Sequence, residues 1–192
     1  MAQHLFGMHD FSYEWVDLVK SAGKSGWSVN TEAIGCDPND RSAKSYDTCG
    51  GLITHITRLN NGYGSAGTIP LPERYADFAK RCANFVAASQ GCNHWIVGNE
   101  IALAWEWPEG QRITLDNYVQ CFRMVRQAIK SVQSDAVVIP QAPAPWNVEV
   151  RYDGNQGGDW VQQLPDMLNR IGAGNVDAIA LHAYSHGHDA GL

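Results

Sequence analysis

Short β-forming runs alternate with amphipathic segments along most of the chain. Amphipathic helices with a 3.6-residue period are predicted over residues 11–22, 73–89, 114–133 and 159–171. Runs rich in β-branched and aromatic residues predict strands over residues 3–9, 27–34, 52–60, 94–100, 136–139 and 176–184. Because no pattern of tight hairpins joins the strands, the alternation predicts an α/β fold with a parallel sheet, either doubly wound or a (β/α)8 TIM-like barrel.

Punctuating residues support these boundaries. Pro72 stands where a helix begins, and Thr114 and Asp159 are good N-caps. Between the second and third strands, residues 35–50 form a polar loop instead of a helix, and residues 61–67 form a glycine-rich loop that can approach a ligand closely.

Polar residues recur at the C-terminal ends of nearly every predicted strand. A doubly wound sheet gathers such residues at one switch point, whereas a barrel spreads them over many strand ends. The distribution therefore favours the barrel. The residues concerned are His9, Glu32, Arg58, Asn99, Glu100, His182 and Tyr184.

Length sets a second expectation. A complete barrel has eight strands and about 250 residues, whereas this chain has 192 residues and about six predicted β/α repeats. We therefore expect one incomplete barrel domain over residues 1–192, a fragment or a shortened relative that stops after strand six. Unpaired strands at both edges would then favour self-association.

Charge and composition restrict the partners. The net charge is -6 and Lys and Arg form no stripe, so no nucleic-acid partner is expected. No apolar run approaches the about 18 residues of a membrane span, and no signal peptide is visible. The compartment stays open between the cytoplasm and secretion of a chain whose leader was trimmed.

The five cysteines are an odd number without C-x-x-C spacing, which disfavours a zinc site or a dense disulfide framework. Reduced thiols are expected, with Cys36 to Cys49 or Cys82 to Cys92 as the bridges that the spacing allows. No cofactor is expected. The histidines at 182, 186 and 188 form a weaker alternative, a metal site at the barrel mouth.

Strand alternation shows which side chains can meet. On the third strand Arg58 shares a face with Ile56, so it can end inside the barrel mouth, and His182 and Tyr184 share a face of the sixth. Asn99 and Glu100 are neighbours that alternation sends to opposite faces. Both reach one pocket only if the fourth strand ends or bulges there.

The order Arg58, Asn99-Glu100 and His182-x-Tyr184 at successive strand ends resembles clan A of the glycoside hydrolases, the barrel family that contains cellulases, mannanases and β-galactosidases. The resemblance covers nearly the whole chain as a strand layout. It implies that Glu100 is the general acid/base and that Asn99 holds the sugar 2-hydroxyl. Arg58, His182 and Tyr184 would orient the nucleophile and the substrate.

Retaining hydrolysis also needs a second carboxylate, about 5 to 5.5 Å from the first. In the resembling family this glutamate ends strand seven, for which this sequence has no counterpart. Glu32 and Asp10 end other strands and do not match the family position. The expected function is a glycoside hydrolase-like protein for a β-linked glycan that is inactive without its nucleophile. The alternative is a non-catalytic carbohydrate-binding or cell-surface module.

Aromatic residues in the loops predict the substrate contacts. Trp105, Trp107 and Trp146 follow the fourth and fifth strands and can stack on sugar rings, with His9 and Glu32 as further contacts. Ordinary loop packing explains the tryptophans equally well. The partner that this arrangement predicts is an oligo- or polysaccharide.

Overall fold

A five-stranded parallel sheet forms the centre of the protein. The computed structural model describes residues 6–145 and 150–182. The strands are β1 (Gly7–His9), β2 (Gly26–Ala33), β3 (Ile53–Asn60), β4 (Cys92–Val97) and β5 (Val137–Pro140). They lie side by side in chain order, and every neighbouring pair is parallel. Since parallel crossovers share one hand, this order keeps all the connections on one side of the sheet.

That arrangement is a partial (β/α)-barrel layout and excludes a doubly wound sheet, in which the strand order reverses. The predicted α/β class and parallel sheet are confirmed. Closure into eight strands stays a prediction, because the described residues contain five strands.

Four α-helices flank the sheet: α1 (Tyr13–Ser21), α2 (Tyr75–Ala88), α3 (Leu115–Val132) and α4 (Trp160–Ile171). The N-cap side chains of α1, α3 and α4 accept from backbone N–H groups, as the sequence predicts for Thr114 and Asp159, whereas α2 has no side-chain cap. Every helix ends close to its predicted bounds. Residues between β2 and β3 contain no helix, also as predicted.

The two faces of the sheet differ in burial because side chains alternate along each strand. One face packs on α2 and α3 and carries fully buried residues such as Leu59, Trp95 and Val138. We call the opposite side the inner face; its residues include Trp27, Val29, Ile56, Arg58 and Ile96, which are only half-buried. On the inner face the rings of Trp27 and His94 meet edge to face at 5.3 Å.

The prediction of a sixth strand over residues 176–184 is wrong for its described part, because residues 176–182 form no strand. The physical reason lies in Asp177. Its Oδ2 accepts a hydrogen bond from Val138 N–H at 2.9 Å. A side chain, and not the backbone of a sixth strand, therefore occupies this backbone donor of β5 at the sheet edge. The same carboxylate pairs with Arg126 at 2.9 Å and Lys130 at 3.0 Å on α3.

We expect Asp177→Ala to lower the free energy of unfolding by about 2 kcal/mol at neutral pH, the usual range for charge-assisted hydrogen bonds. Burial alone would raise the pKa of Asp177, but the Val138 N–H, Arg126 and Lys130 outweigh it and hold the pKa below its ordinary value. A carboxyl with a depressed folded-state pKa stabilises above its unfolded pKa and loses that effect as pH falls through the folded value.

The difference between wild type and Asp177→Ala should therefore shrink as the pH falls below about 4. Urea unfolding at neutral and acid pH measures it. Asp135→Ala, at an exposed position just before β5, is the control and should be neutral at both pH values. An equal loss at both pH values would contradict the role of the charge.

All five cysteines are free thiols, so neither Cys36 with Cys49 nor Cys82 with Cys92 is bridged. Across residues 6–145 and 150–182, no helix combines the length and apolar character that crossing a membrane requires.

Candidate active site

A tight turn at the end of β4 delivers two polar side chains to one cavity. Gly98 and Glu100 both have positive φ, of 74° and 35°. Gly98 N–H donates to Leu59 O at 3.0 Å, and Glu100 N–H donates to Ala142 O at 3.3 Å. This left-handed turn ends the alternation of side chains along β4, so Asn99 and Glu100 can face the same pocket. That is the condition under which the sequence predicts a shared pocket. A non-glycine residue at positive φ is uncommon and costs free energy, so the surrounding contacts must hold Glu100 in this conformation.

The cavity beside this turn has a volume of about 370 Å³. Its polar lining consists of five residues from four segments of the chain, all of them candidate site residues in the sequence. Its walls are apolar residues of the inner face and of loops. The polar five are His9, Arg58, Asn99, Glu100 and His182, and the apolar walls include Val29, Ile56, Ile96, Ile139 and Ala142. Whether these residues act in catalysis stays a prediction.

Glu100 is held by a histidine from the far end of the described chain. The His182 Nδ1 lies 2.6 Å from Glu100 Oε1, with the two side chains 19% and 11% exposed. The bond fixes one carboxyl oxygen and leaves Oε2 for another partner. The tautomer of His182 decides which group donates.

Arg58 and Asn99 form the second half of the polar wall. Arg58 Nη1 donates to Asn99 Oδ1 at 2.6 Å, and Arg58 Nη2 donates to Thr31 Oγ1 at 2.9 Å. Arg58 Nε is buried and has no hydrogen-bond partner among residues 6–145 and 150–182. A buried guanidinium donor without an acceptor is unfavourable, so this atom is suited to an incoming acceptor.

Sequence reasoning missed Glu106, which lies between the two tryptophans of the loop after β4. Its Oε1 accepts from Asn99 Nδ2 at 2.8 Å. Burial raises the pKa of Glu106, partly offset by the Asn99 hydrogen bond and the Arg58 charge, and Glu100 nearby raises it further. Only the fold brings Glu106 back onto Asn99, and no spacing in the sequence signals that contact.

Glu32 and Asp10 lie away from this cavity. Glu32 pairs with Lys44 at 2.5 Å and lines a different cavity, with Asp10, Tyr46 and others, of about 460 Å³. Asp10 is exposed and lies 3.3 Å from His9 Nδ1. The structure therefore does not bring either carboxylate next to Glu100.

The tryptophans behave differently from one another. Trp105 is 68% exposed, in keeping with a surface that can stack on a ligand. Trp107 is half-buried, donates through Nε1 to Ile101 O at 2.8 Å and packs on the core, which is the loop-packing alternative. Trp146 and Tyr184, and the histidines at 186 and 188, lie outside the described residues. Among the described residues, no cluster of His, Cys, Asp or Glu could hold a metal ion.

Comparison by sequence places part of this site inside a family. A family model described as "Family of unknown function (DUF5722)" matches residues 74–187, more than half of the 192 residues. The chain belongs to the DUF5722 family. The DUF5722 region contains Asn99, Glu100, Glu106 and His182 and begins after Arg58. No curated protein matches the chain in sequence.

Three solved structures that are similar to this chain are glycosidases by name. A family 39 glycoside hydrolase from Bacteroides cellulosilyticus aligns with 71% of this chain and 32% of its own, at 15% identity and a TM-score of 0.49. AbfB, a family 51 α-L-arabinofuranosidase from Bifidobacterium longum, aligns with 93% and 40%, at 18% identity and 0.47. An exo-β-1,4-mannosidase, Op5Man5, from an Opitutaceae bacterium aligns with 70% and 31%, at 16% and 0.44.

The chain thus spans 31% to 40% of the length of these structures. At such identities and TM-scores the likeness assigns no activity to the DUF5722 chain.

Proposed function

We propose that this chain carries the acid/base half of a retaining glycoside hydrolase site for a β-linked glycan. The observation that carries the proposal is the cavity in which Glu100, oriented by His182, lies beside the Asn99 amide. A carboxyl and an amide side by side at the end of a parallel strand match the acid/base and sugar-hydroxyl contacts that the clan A resemblance assigns to Glu100 and Asn99.

The proposed reaction has two steps. Glu100 donates its proton to the glycosidic oxygen as the anomeric C–O bond breaks, and a second carboxylate attacks the anomeric carbon to form a glycosyl ester. The ionised Glu100 then removes a proton from water as the water oxygen bonds the anomeric carbon and the ester bond to the second carboxylate breaks, which leaves Glu100 protonated and the second carboxylate free again. His182 fixes Oε1, so Oε2 is the oxygen that we assign to the proton transfer.

The second carboxylate is not identified among the residues that the structure describes. Glu32 pairs with Lys44 in another cavity, and Asp10 is exposed. Glu106 accepts a hydrogen bond from the Asn99 amide nitrogen. The resemblance assigns the nucleophile to the end of a seventh strand of a complete barrel. The buried Nε of Arg58, which has no partner within residues 6–145 and 150–182, supports this proposal, because it is a donor suited to orient such a carboxylate.

The absence of that carboxylate from the described residues is also what favours the alternative, a non-catalytic glycan-binding module. Calorimetric titration with β-linked oligosaccharides and a hydrolysis panel of aryl β-glycosides and polysaccharides test both. Both are run on the 192-residue chain. Hydrolysis with retention of anomeric configuration supports the enzyme, binding without hydrolysis supports the module, and neither binding nor hydrolysis overturns both.

A further inference from the structure

The side-chain amide of Asn99 is held from both ends. Arg58 Nη1 donates to its Oδ1 at 2.6 Å, and Glu106 Oε1 accepts from its Nδ2 at 2.8 Å. A guanidinium can only donate and an ionised carboxylate can only accept, so a single amide orientation satisfies both partners. Flipping the amide would turn its N–H groups towards Arg58 and its oxygen towards Glu106, and both bonds would be lost.

Glu106 does not line the cavity itself and bonds a residue that does, Asn99. Asn99 lines the cavity, whereas Glu106 is absent from the lining and lies half-buried at the end of a 3-10 turn, Ala104–Glu106. That turn is anchored just after the glycine-rich loop, because Glu106 O accepts from Thr68 N–H at 2.9 Å. The residue before the turn is also tied to Glu100, since Leu103 N–H donates to Glu100 O at 2.9 Å. The carboxylate of Glu106 is therefore on a fixed support.

One N–H group of the Asn99 side-chain amide is available to bind a ligand. An amide nitrogen has two N–H groups, and Glu106 takes one of them. The other remains available on a side chain that faces the cavity. A fixed N–H in such a place recognises an acceptor, and sugar hydroxyl oxygens are acceptors.

We propose that Glu106 is a positioning residue of this site, which orients the Asn99 amide so that an N–H is offered to a sugar hydroxyl oxygen in the cavity. The sugar part of this inference rests on the proposed function; the orientation of the amide does not. Glu106 thus sets the direction of a substrate contact without touching the substrate.

A ligand-free experiment tests the orientation. The charged groups facing Glu106 are Arg58 from β3 and Glu100 from the turn after β4, and the Thr68 hydroxyl faces it from the position after the glycine-rich loop. The side-chain NH2 signal of Asn99, assigned by its loss in Asn99→Asp, is followed by NMR against pH. We expect it to shift with a midpoint above the ordinary pKa of a glutamate, because burial raises the pKa of Glu106.

Two variants distinguish the effect of the Glu106 carboxylate on the Asn99 signal from that of the Glu100 carboxylate. The pH-dependent shift should persist in Glu100→Gln and vanish in Glu106→Gln, whose oxygen can still accept from Asn99. An Asn99 signal whose titration survives Glu106→Gln would overturn the inference, whatever the protein does with glycans.

A second experiment tests the consequence for a sugar. Affinity for a β-glycoside and its 2-deoxy analogue is compared in wild type, Glu106→Leu and Glu106→Gln. Wild type should prefer the parent sugar about tenfold, the value of one well-made hydrogen bond of about 1.4 kcal/mol. Glu106→Leu should lose that preference and Glu106→Gln should keep most of it.

Equal weakening of both sugars in Glu106→Leu would point to general damage and would overturn the positioning role. Wild type that binds neither sugar overturns the proposed function and the sugar contact, whereas the NMR titration still decides whether Glu106 orients Asn99.

Discussion

In any form of the protein that hydrolyses β-glycosides, Glu100→Gln should lower the rate for substrates with poor leaving groups by about a thousandfold, within the usual range for general acid catalysis. Gln keeps the size of the side chain and an oxygen for His182, which lies 2.6 Å from Glu100 Oε1, so the cavity should keep its shape. It has no acidic proton for the glycosidic oxygen. Affinity for the glycan should therefore change little while kcat falls, because the lost contact exists only in the transition state.

Leaving-group dependence makes this prediction specific. Aryl glycosides whose leaving group departs without protonation should lose far less in the bond-breaking step than alkyl glycosides. Glu109→Gln is the matched control, since Glu109 is an exposed glutamate on the same loop with a similarly positive φ of 52°. Hydrolysis that survives Glu100→Gln on poor leaving groups would remove Glu100 from the acid role, and equal loss in Glu109→Gln would point to loop damage.

Local patterns predicted the elements because each depends on neighbouring residues. The α3 helix follows from the cap at Thr114 and an apolar stripe through Tyr118, Phe122 and Val125, all of which the structure buries. The parallel order follows from the crossovers, which the lengths of the connections require. The sequence predicted that Asn99 and Glu100 share a pocket only if β4 ends or bulges there. The reason is that neighbouring residues of a regular strand point to opposite faces of the sheet.

The sixth strand and Glu106 show where such patterns fail. Residues 176–182 have strand-like composition, but strand formation needs a free ladder on β5, and the Asp177 carboxylate occupies Val138 N–H. Glu106 looks like any loop glutamate until the loop folds back onto Asn99. Both outcomes depend on contacts between distant or loop residues, which hydrophobic periodicity does not encode.

Arg81→Met should lower the free energy of unfolding by about 3 to 5 kcal/mol, the range for breaking a buried charged network. Arg81 lies on α2 and is 1% exposed. Its Nε donates to Ile34 O at 3.0 Å, its Nη1 to Ser42 O at 3.2 Å and its Nη2 to Ser42 Oγ at 2.5 Å. Nη2 also pairs with Asp40 at 3.1 Å, so one side chain holds much of the β2–β3 loop.

The loop lacks a helix of its own, so its carbonyl groups depend on partners elsewhere. Met fills much of the volume of Arg81 but cannot donate, which would leave the carbonyls of Ile34 and Ser42 without this partner. Urea unfolding measures the loss, and hydrogen exchange should show residues 34–46 opening first.

Arg74→Met removes an arginine half-exposed next to α2, paired with Asp77 at 3.0 Å, and should cost about 0.5 kcal/mol. Equal losses for the two variants would show that Arg81 acts only as packing. A large loss at Arg81 with unchanged exchange at 34–46 would show that the loop is held without it.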